Sequence, residues 1–267
     1  MRQLSADKLL IKPILNHACS MYKKHFRLFL HISSYIVVLN MADSALNITQ
    51  AYVPKGGLLI IHKLISVIFF FVYFYFLYKF TIAQYIIINE SYMKRDITVK
   101  KALRTASGTF WGYFKTIVII NLISLLPAGI IAVGVRELDR QWALYITMLF
   151  LAVYVAYIMT IFSFTPLMSI VSNKKSSFFY LSRILVKGDF FKTFLLTVAL
   201  PQAVLLPNLI NRFFFSESLT PLLHQKLLNV LIYGCINLLL PSFFLSVQLL
   251  MYYKLSEIKV TKIKTLP

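Results

Sequence analysis

Acidic side chains are scarce in this chain of 267 residues, which has nine Asp and Glu against 28 Lys and Arg. The acids are scattered, and the five histidines show no paired spacing such as His-x-x-x-His beside a glutamate. No glycine-rich phosphate loop stands ahead of a helix, which excludes an ATPase in this chain. We therefore expect no enzymatic activity, and no catalytic, cofactor-binding or metal-ligating residue.

Cysteine is rare as well. Cys19 lies in a basic segment and Cys235 lies in an apolar run. A disulfide needs close, facing sulfur atoms, which two segments of opposite polarity do not provide. Neither cysteine has a metal-ligand neighbour at a useful spacing, so we expect both to be inert.

Charged residues of both signs make up only 14% of the chain, whereas 59% of it is hydrophobic and the mean hydropathy is +0.74. Soluble domains are typically about 45–50% apolar and about 25% charged. The apolar residues form runs of about 20, the length that crosses a bilayer as a helix. The sequence therefore predicts an all-α fold, a polytopic transmembrane helical bundle.

We predict an amphipathic N-terminal segment 1–27, a single transmembrane domain 28–254 and a basic tail 255–267. The transmembrane domain is predicted to contain six spans, at residues 28–48, 57–78, 116–135, 142–171, 192–210 and 227–252.

Basic residues fall mainly on one side of these spans. Segments 1–27, 94–115, 174–192 and 254–267 hold 21 of the 28 Lys and Arg. Because basic loops stay in the cytoplasm, this bias predicts that both termini are cytoplasmic. Basic clusters between apolar runs also favour anionic lipid head groups over nucleic acid as the partner.

One arrangement occurs twice, at an offset of 80 residues. A basic amphipathic segment leads to Gly108-Thr109-Phe110 in the first copy and to Gly188-Asp189-Phe190 in the second. An apolar run follows each and ends in Leu-Leu-Pro, at Pro127 and Pro207. The repeat predicts a surface helix that turns into a span, with Gly108 at the bend because glycine is unfavourable inside a helix. We expect three related hairpins, the first of them much diverged.

Two residues within the spans have structural consequences. Lys79 either snorkels to the inner interface or faces the bundle interior from a tilted span. Pro166 lies near the inner end of the fourth predicted span, where it should free a backbone carbonyl and kink the helix.

Three short motifs carry a family resemblance: Ser182-Arg183-Ile184-Leu185-Val186-Lys187-Gly188-Asp189-Phe190-Phe191-Lys192, Thr165-Pro166-Leu167 and Tyr252-Tyr253-Lys254-Leu255. They resemble a group of largely uncharacterised bacterial six-span membrane proteins, which includes the membrane domain fused to some glycerophosphodiester phosphodiesterases. The resemblance covers most of the chain from about residue 80. It implies a helical bundle in the bacterial cytoplasmic membrane and no catalytic residue, because the phosphodiesterase domain is absent.

Two functions fit these features. The first is a multi-pass, non-enzymatic inner-membrane protein that supports a membrane-protein partner or maintains the envelope. The second is a transporter component, such as the permease subunit of an exporter with a separate ATPase; Asn121, Gln202 and Asn237 would then line its path. For a lone Asn or Gln within a span we expect a hydrogen bond to a neighbouring helix; these are Asn40, Gln84, Asn121, Gln202, Asn237 and Gln248. Asp43 is expected near the outer interface, where Lys63 could pair with it.

Overall fold

The computed structural model describes residues 10–50, 57–136, 141–171, 178–203 and 240–259, and the regular structure within these ranges is helical. This confirms the predicted all-α class. The helices are α1 (Ile11–Lys24), α2 (Phe26–Gln50), α3 (Gly57–Tyr92), α4 (Val99–Arg136), α5 (Gln141–Ile161), α6 (Thr165–Val171), α7 (Phe178–Val186), α8 (Phe190–Phe194) and α9 (240–259). A π-helical turn, Leu195–Ala199, extends α8, and the helical conformation continues to Ala203.

Within the described ranges, three helices are long and apolar enough to cross a membrane: Leu58–Tyr92, Val99–Ile131 and Tyr145–Val171. They overlap the second, third and fourth predicted spans. The length and composition of these helices thus indicate a membrane protein. The first predicted span lies within α2, which polar residues interrupt. Parts of the fifth and sixth lie in residues 204–239, outside the described residues, so the number six stays a prediction.

The predicted bend at Gly108 is wrong. One unbroken helix, α4, runs from Val99 to Arg136. Its buried side chains, Ala102, Ala106, Phe110 and Tyr113, follow one another at helical spacing through the glycine. Burying this continuous stripe outweighs the roughly 1 kcal/mol that a helical glycine costs. In the second copy the chain does turn, at Gly188, whose φ is +94°.

Burial follows the 80-residue repeat even though the backbone differs. Ala102 and Ala106 in the first copy and Ser182 and Val186 in the second are all buried. An aromatic residue five positions after Ala106 and another five positions after Val186 are also matched in exposure. Trp111 is 66% exposed and its equivalent, Phe191, is 72% exposed. Large exposed rings beside basic segments are typical of a membrane–water interface.

The chain forms two compact units. Unit 1 comprises Met1–Cys19, Trp111–Glu217 and Ser246–Pro267, and its largest fully buried side chains are Phe164, Leu167, Leu196, Leu249, Met251 and Leu255. Unit 2 comprises Ser20–Phe110 and Ser218–Leu245, and its largest fully buried side chains are Phe29, Ile32, Ile82, Ile87 and Ile88.

Burial divides α3 into two parts. From Leu58 to Phe76 most of its apolar side chains are exposed, whereas from Phe80 to Ile88 all but Thr81 are buried within unit 2. The exposed part matches the predicted span 57–78 and presents its apolar side chains to lipid or to other helices. The buried part is the protein-packed extension of that span.

Candidate functional site

A buried polar cluster connects three helices of unit 2. The Gln84 amide Nε2 of α3 donates to the Ser33 hydroxyl of α2 at 3.0 Å, and that hydroxyl lies 3.4 Å from the Ser242 hydroxyl of α9. All three side chains are buried. Nearby in sequence, the Tyr73 hydroxyl of α3 donates to Asn40 Oδ1 of α2 at 2.7 Å. The prediction that polar span residues bond a neighbouring helix is confirmed for Gln84 and Asn40.

Unit 1 contains a broken helix. Helix α5 ends at Ile161, and α6 begins at Thr165, one residue before Pro166. Because proline has no N–H, it suits the first turn of a new helix and not the interior of an old one. The Thr165 N–H donates to the Phe162 carbonyl, a tighter turn than α5 makes. The kink predicted from Pro166 is therefore a full interruption of the helix.

Side chains from two other elements supply donors to the interrupted backbone. The Ser182 hydroxyl of α7 donates to the Ile161 carbonyl at 2.6 Å, and the Gln248 amide of α9 donates to the Ser163 carbonyl. Gln248 thus bonds a neighbouring element, as predicted, and its partner there is a backbone carbonyl. The Ser163 and Thr165 hydroxyls, in contrast, are buried and have no hydrogen-bond partner among the described residues.

Lys79 lies beside two aromatic rings of its own helix, and which of the two predicted positions it takes stays a prediction. It is half-buried, and its ammonium lies 5.6 Å from the centre of the Tyr75 ring and 6.0 Å from that of Phe76. Both rings belong to the preceding turn of α3. A cation above an aromatic face is stabilised by the ring quadrupole, so this lysine is accommodated by its own helix.

A basic cavity lies where α1 meets α2, within unit 2. It has a volume of about 310 Å³ and is lined by Lys23, Lys24, His25, Phe26, Arg27 and Leu28. The two lysines end α1 and Arg27 is the second residue of α2, so basic residues on both sides of a single turn at His25 line one space. All three cationic side chains are exposed.

His25 itself adds little charge to this cavity. Burial, and secondarily the positive charge of Lys24, lower the pKa of the His25 imidazole, while Asp96 acts in the opposite direction. A lowered pKa leaves the imidazole neutral at pH 7, so it offers one donor and one acceptor. The positive charge of the cavity therefore comes from Lys23, Lys24 and Arg27.

Two of the three residues suggested for a transport path lie within the described ranges, and no hydrogen bond joins those two. Asn121 is half-buried in α4, Gln202 is exposed near the end of the described helix, and Asn237 lies outside the described residues. Within the described ranges there is no group of three or more His, Cys, Asp or Glu side chains that could hold a metal ion. The absence of enzymatic activity stays a prediction.

Sequence reasoning placed residues 1–27 on the membrane surface but missed the cavity. The signal was present, since Lys23, Lys24 and Arg27 flank a histidine at the junction of an amphipathic segment and an apolar run. The sequence alone does not reveal the turn at His25, which separates α1 from α2 and places these residues in the lining of one cavity.

The chain matches no protein-family model, no curated protein and no solved structure.

Proposed function

We propose that this chain is a multi-pass protein of the bacterial cytoplasmic membrane that acts without catalysis, as a scaffold or accessory subunit for a membrane-protein partner. It would cross the membrane six times, with both termini and the basic segments in the cytoplasm, against anionic head groups. The observation that carries this proposal is the exposure of apolar surface on its long helices. None of the residues in the most apolar stretch of Leu58–Tyr92 is buried.

The way polar groups are used supports the same function. Gln84, Ser33 and Ser242 bond one another, Tyr73 bonds Asn40, and Ser182 and Gln248 bond a broken backbone. Polar side chains engaged in this way hold helices together and contribute about 0.6–2 kcal/mol each. Because these side chains are already hydrogen-bonded, they stabilise the packing of the helices and are not available for a reaction.

The topology can be measured by cysteine labelling in intact cells. In a variant without Cys19 and Cys235, we expect Lys101→Cys and Lys187→Cys to be protected from an impermeant maleimide added outside. Arg140→Cys, in a predicted outer loop, is the matched control and should react. Both cytoplasmic positions should become reactive once the membrane is opened. Labelling of either in sealed cells contradicts the proposed orientation.

The scaffold role can be tested by site-specific photo-cross-linking. We expect a benzoyl-phenylalanine in place of Phe71, which is 68% exposed on α3, or of Phe150, which is 70% exposed on α5, to give a discrete adduct with another membrane protein. The same probe in place of Phe80, buried on α3, is the control and should give none. A chain whose two exposed probes react with lipid alone has no such partner, and the scaffold proposal fails.

One observation favours the transporter alternative. Broken helices inside membrane proteins expose backbone and side-chain oxygens that bind transported solutes or ions. The interruption at Phe162–Phe164 has this form, with two buried hydroxyls, Ser163 and Thr165, that have no partner among the described residues. Recovery of an ATP-hydrolysing protein as the cross-linked partner would select this alternative.

A further inference from the structure

We propose that the cavity between α1 and α2 binds the phosphate group of one anionic phospholipid of the inner leaflet. This inference rests on the proposed function in one respect, that the N-terminal segment faces a lipid surface. It goes beyond a general attraction between basic segments and head groups, because it assigns one lipid to one defined place. We name this place the head-group site; its residues are Lys23, Lys24, His25, Phe26, Arg27 and Leu28.

Charge and size match a phosphodiester. Three of the six residues that line the volume of about 310 Å³ are basic, namely Lys23, Lys24 and Arg27. That volume is at the small end of ligand sites, which suits a head group and excludes a whole lipid. Arginine and lysine are the side chains that bind phosphate best, arginine through its fork of N–H donors and lysine as a point charge.

The surroundings of the cavity distinguish a lipid from a free phosphate ion. Two of the lining residues, Phe26 and Leu28, are apolar. Leu30 and Met41 are exposed and lie on the same side of α2 as Phe26, by helical spacing. This side of α2 therefore carries exposed apolar side chains beyond the cavity, against which acyl chains would pack. Inorganic phosphate has no apolar part that could pack against these side chains.

The cavity is polarised in a way that suits a ligand with both a charged and a neutral part. Charges of both signs act on His25: Lys24 lowers the pKa of its imidazole and Asp96 raises it, while Lys23, Lys24 and Arg27 line the cavity. A neutral imidazole at this boundary can bond the glycerol hydroxyl of a head group or a phosphate oxygen, because it holds one donor and one acceptor. Phosphatidylglycerol offers both groups and is the appropriate probe.

The test uses the purified full chain in neutral detergent, with lipid retention counted by native mass spectrometry. We expect the protein to retain one phosphatidylglycerol and no phosphatidylcholine. The variant Lys23→Gln/Lys24→Gln/Arg27→Gln should retain that lipid at least about tenfold less, since each cation near a head group contributes appreciably to its binding. Lys100→Gln/Lys101→Gln/Arg104→Gln is the matched control, because it removes the same three charges from exposed positions of α4.

The outcomes separate the alternatives. Equal loss of bound lipid in both triple variants would show diffuse attraction and overturn the head-group site. Full lipid retention in Lys23→Gln/Lys24→Gln/Arg27→Gln would overturn it as well. Displacement of the lipid by a tenfold excess of inorganic phosphate would identify a free anion as the ligand and overturn the lipid assignment. Lys23→Arg/Lys24→Arg should keep binding, and its loss would also contradict the proposal.

This assay needs neither a sealed membrane nor a partner protein. Failure of the head-group site therefore leaves the labelling and cross-linking results standing, and the reverse holds as well. A triple variant that does not fold is recognised by its lost helical circular dichroism, and the arginine double variant then decides the question.

Discussion

Replacing Phe164 with alanine should lower the free energy of unfolding of the protein by about 3–5 kcal/mol. Phe164 is 0% exposed, lies at the break between α5 and α6, and contacts the Tyr252 ring at a centroid distance of 6.1 Å. Truncation leaves a cavity that the surrounding helices cannot close, since the broken backbone is held by Ser182 and Gln248. Equilibrium unfolding in mixed micelles measures the loss.

Phe191→Ala is the matched control for that experiment. Phe191 has the same chemistry but is 72% exposed, so lipid or detergent fills its place and the change should stay within about 0.5 kcal/mol. If both substitutions destabilise the protein equally, then the break is not the packed core described above. A fall in helix content in Phe164→Ala alone would be consistent with the expected loss.

The second large effect comes from one substitution made at the two equivalent glycines. Gly188→Ala should destabilise the protein by about 1–2 kcal/mol, because an L-residue is strained at a φ of +94°. A Cβ there would lie 3.6 Å from Lys259 Nζ, an ordinary contact, so backbone strain alone is measured. Gly108→Ala should stabilise it, by up to about 1 kcal/mol, because alanine is the better helix former.

Space does not complicate the second half of this comparison. No atom lies within 4 Å of a Cβ built on Gly108, which is exposed in the middle of α4. The same unfolding measurement on both variants therefore gives two changes of opposite sign. Two changes of the same sign would mean that the repeat copies share one backbone conformation, contrary to the structure.

These two glycines show how far the sequence alone could lead. The repeat was visible as a pattern of residue types, and its burial pattern at Ala102, Ala106, Ser182 and Val186 followed. The two copies differ in backbone conformation, because a helix continues through a lone glycine when a continuous apolar stripe is buried beside it. A local penalty of about 1 kcal/mol does not decide where a helix ends when the packing of many side chains opposes it.

The polar residues illustrate the same limit. Hydrogen bonds between helices were expected for Gln84 and Asn40 because lipid offers no alternative partner. Their actual partners, Ser33 and Tyr73, depend on helix register, which composition does not reveal. The rings of Tyr75 and Phe76, one turn before Lys79, are neighbours of its ammonium that the sequence pattern did not predict. The basic cavity likewise depends on the turn at His25, which no sequence motif predicts.

The interrupted helix of unit 1 has a consequence for biogenesis. The Ser163 carbonyl receives its donor from Gln248, 85 positions later in the chain. Ribosomes and the insertion machinery deliver segments in order, so the α5–α6 junction enters the bilayer with this acceptor unsatisfied and is completed only when α9 docks. We therefore expect chains truncated before α9 to be degraded by quality-control proteases that recognise exposed backbone.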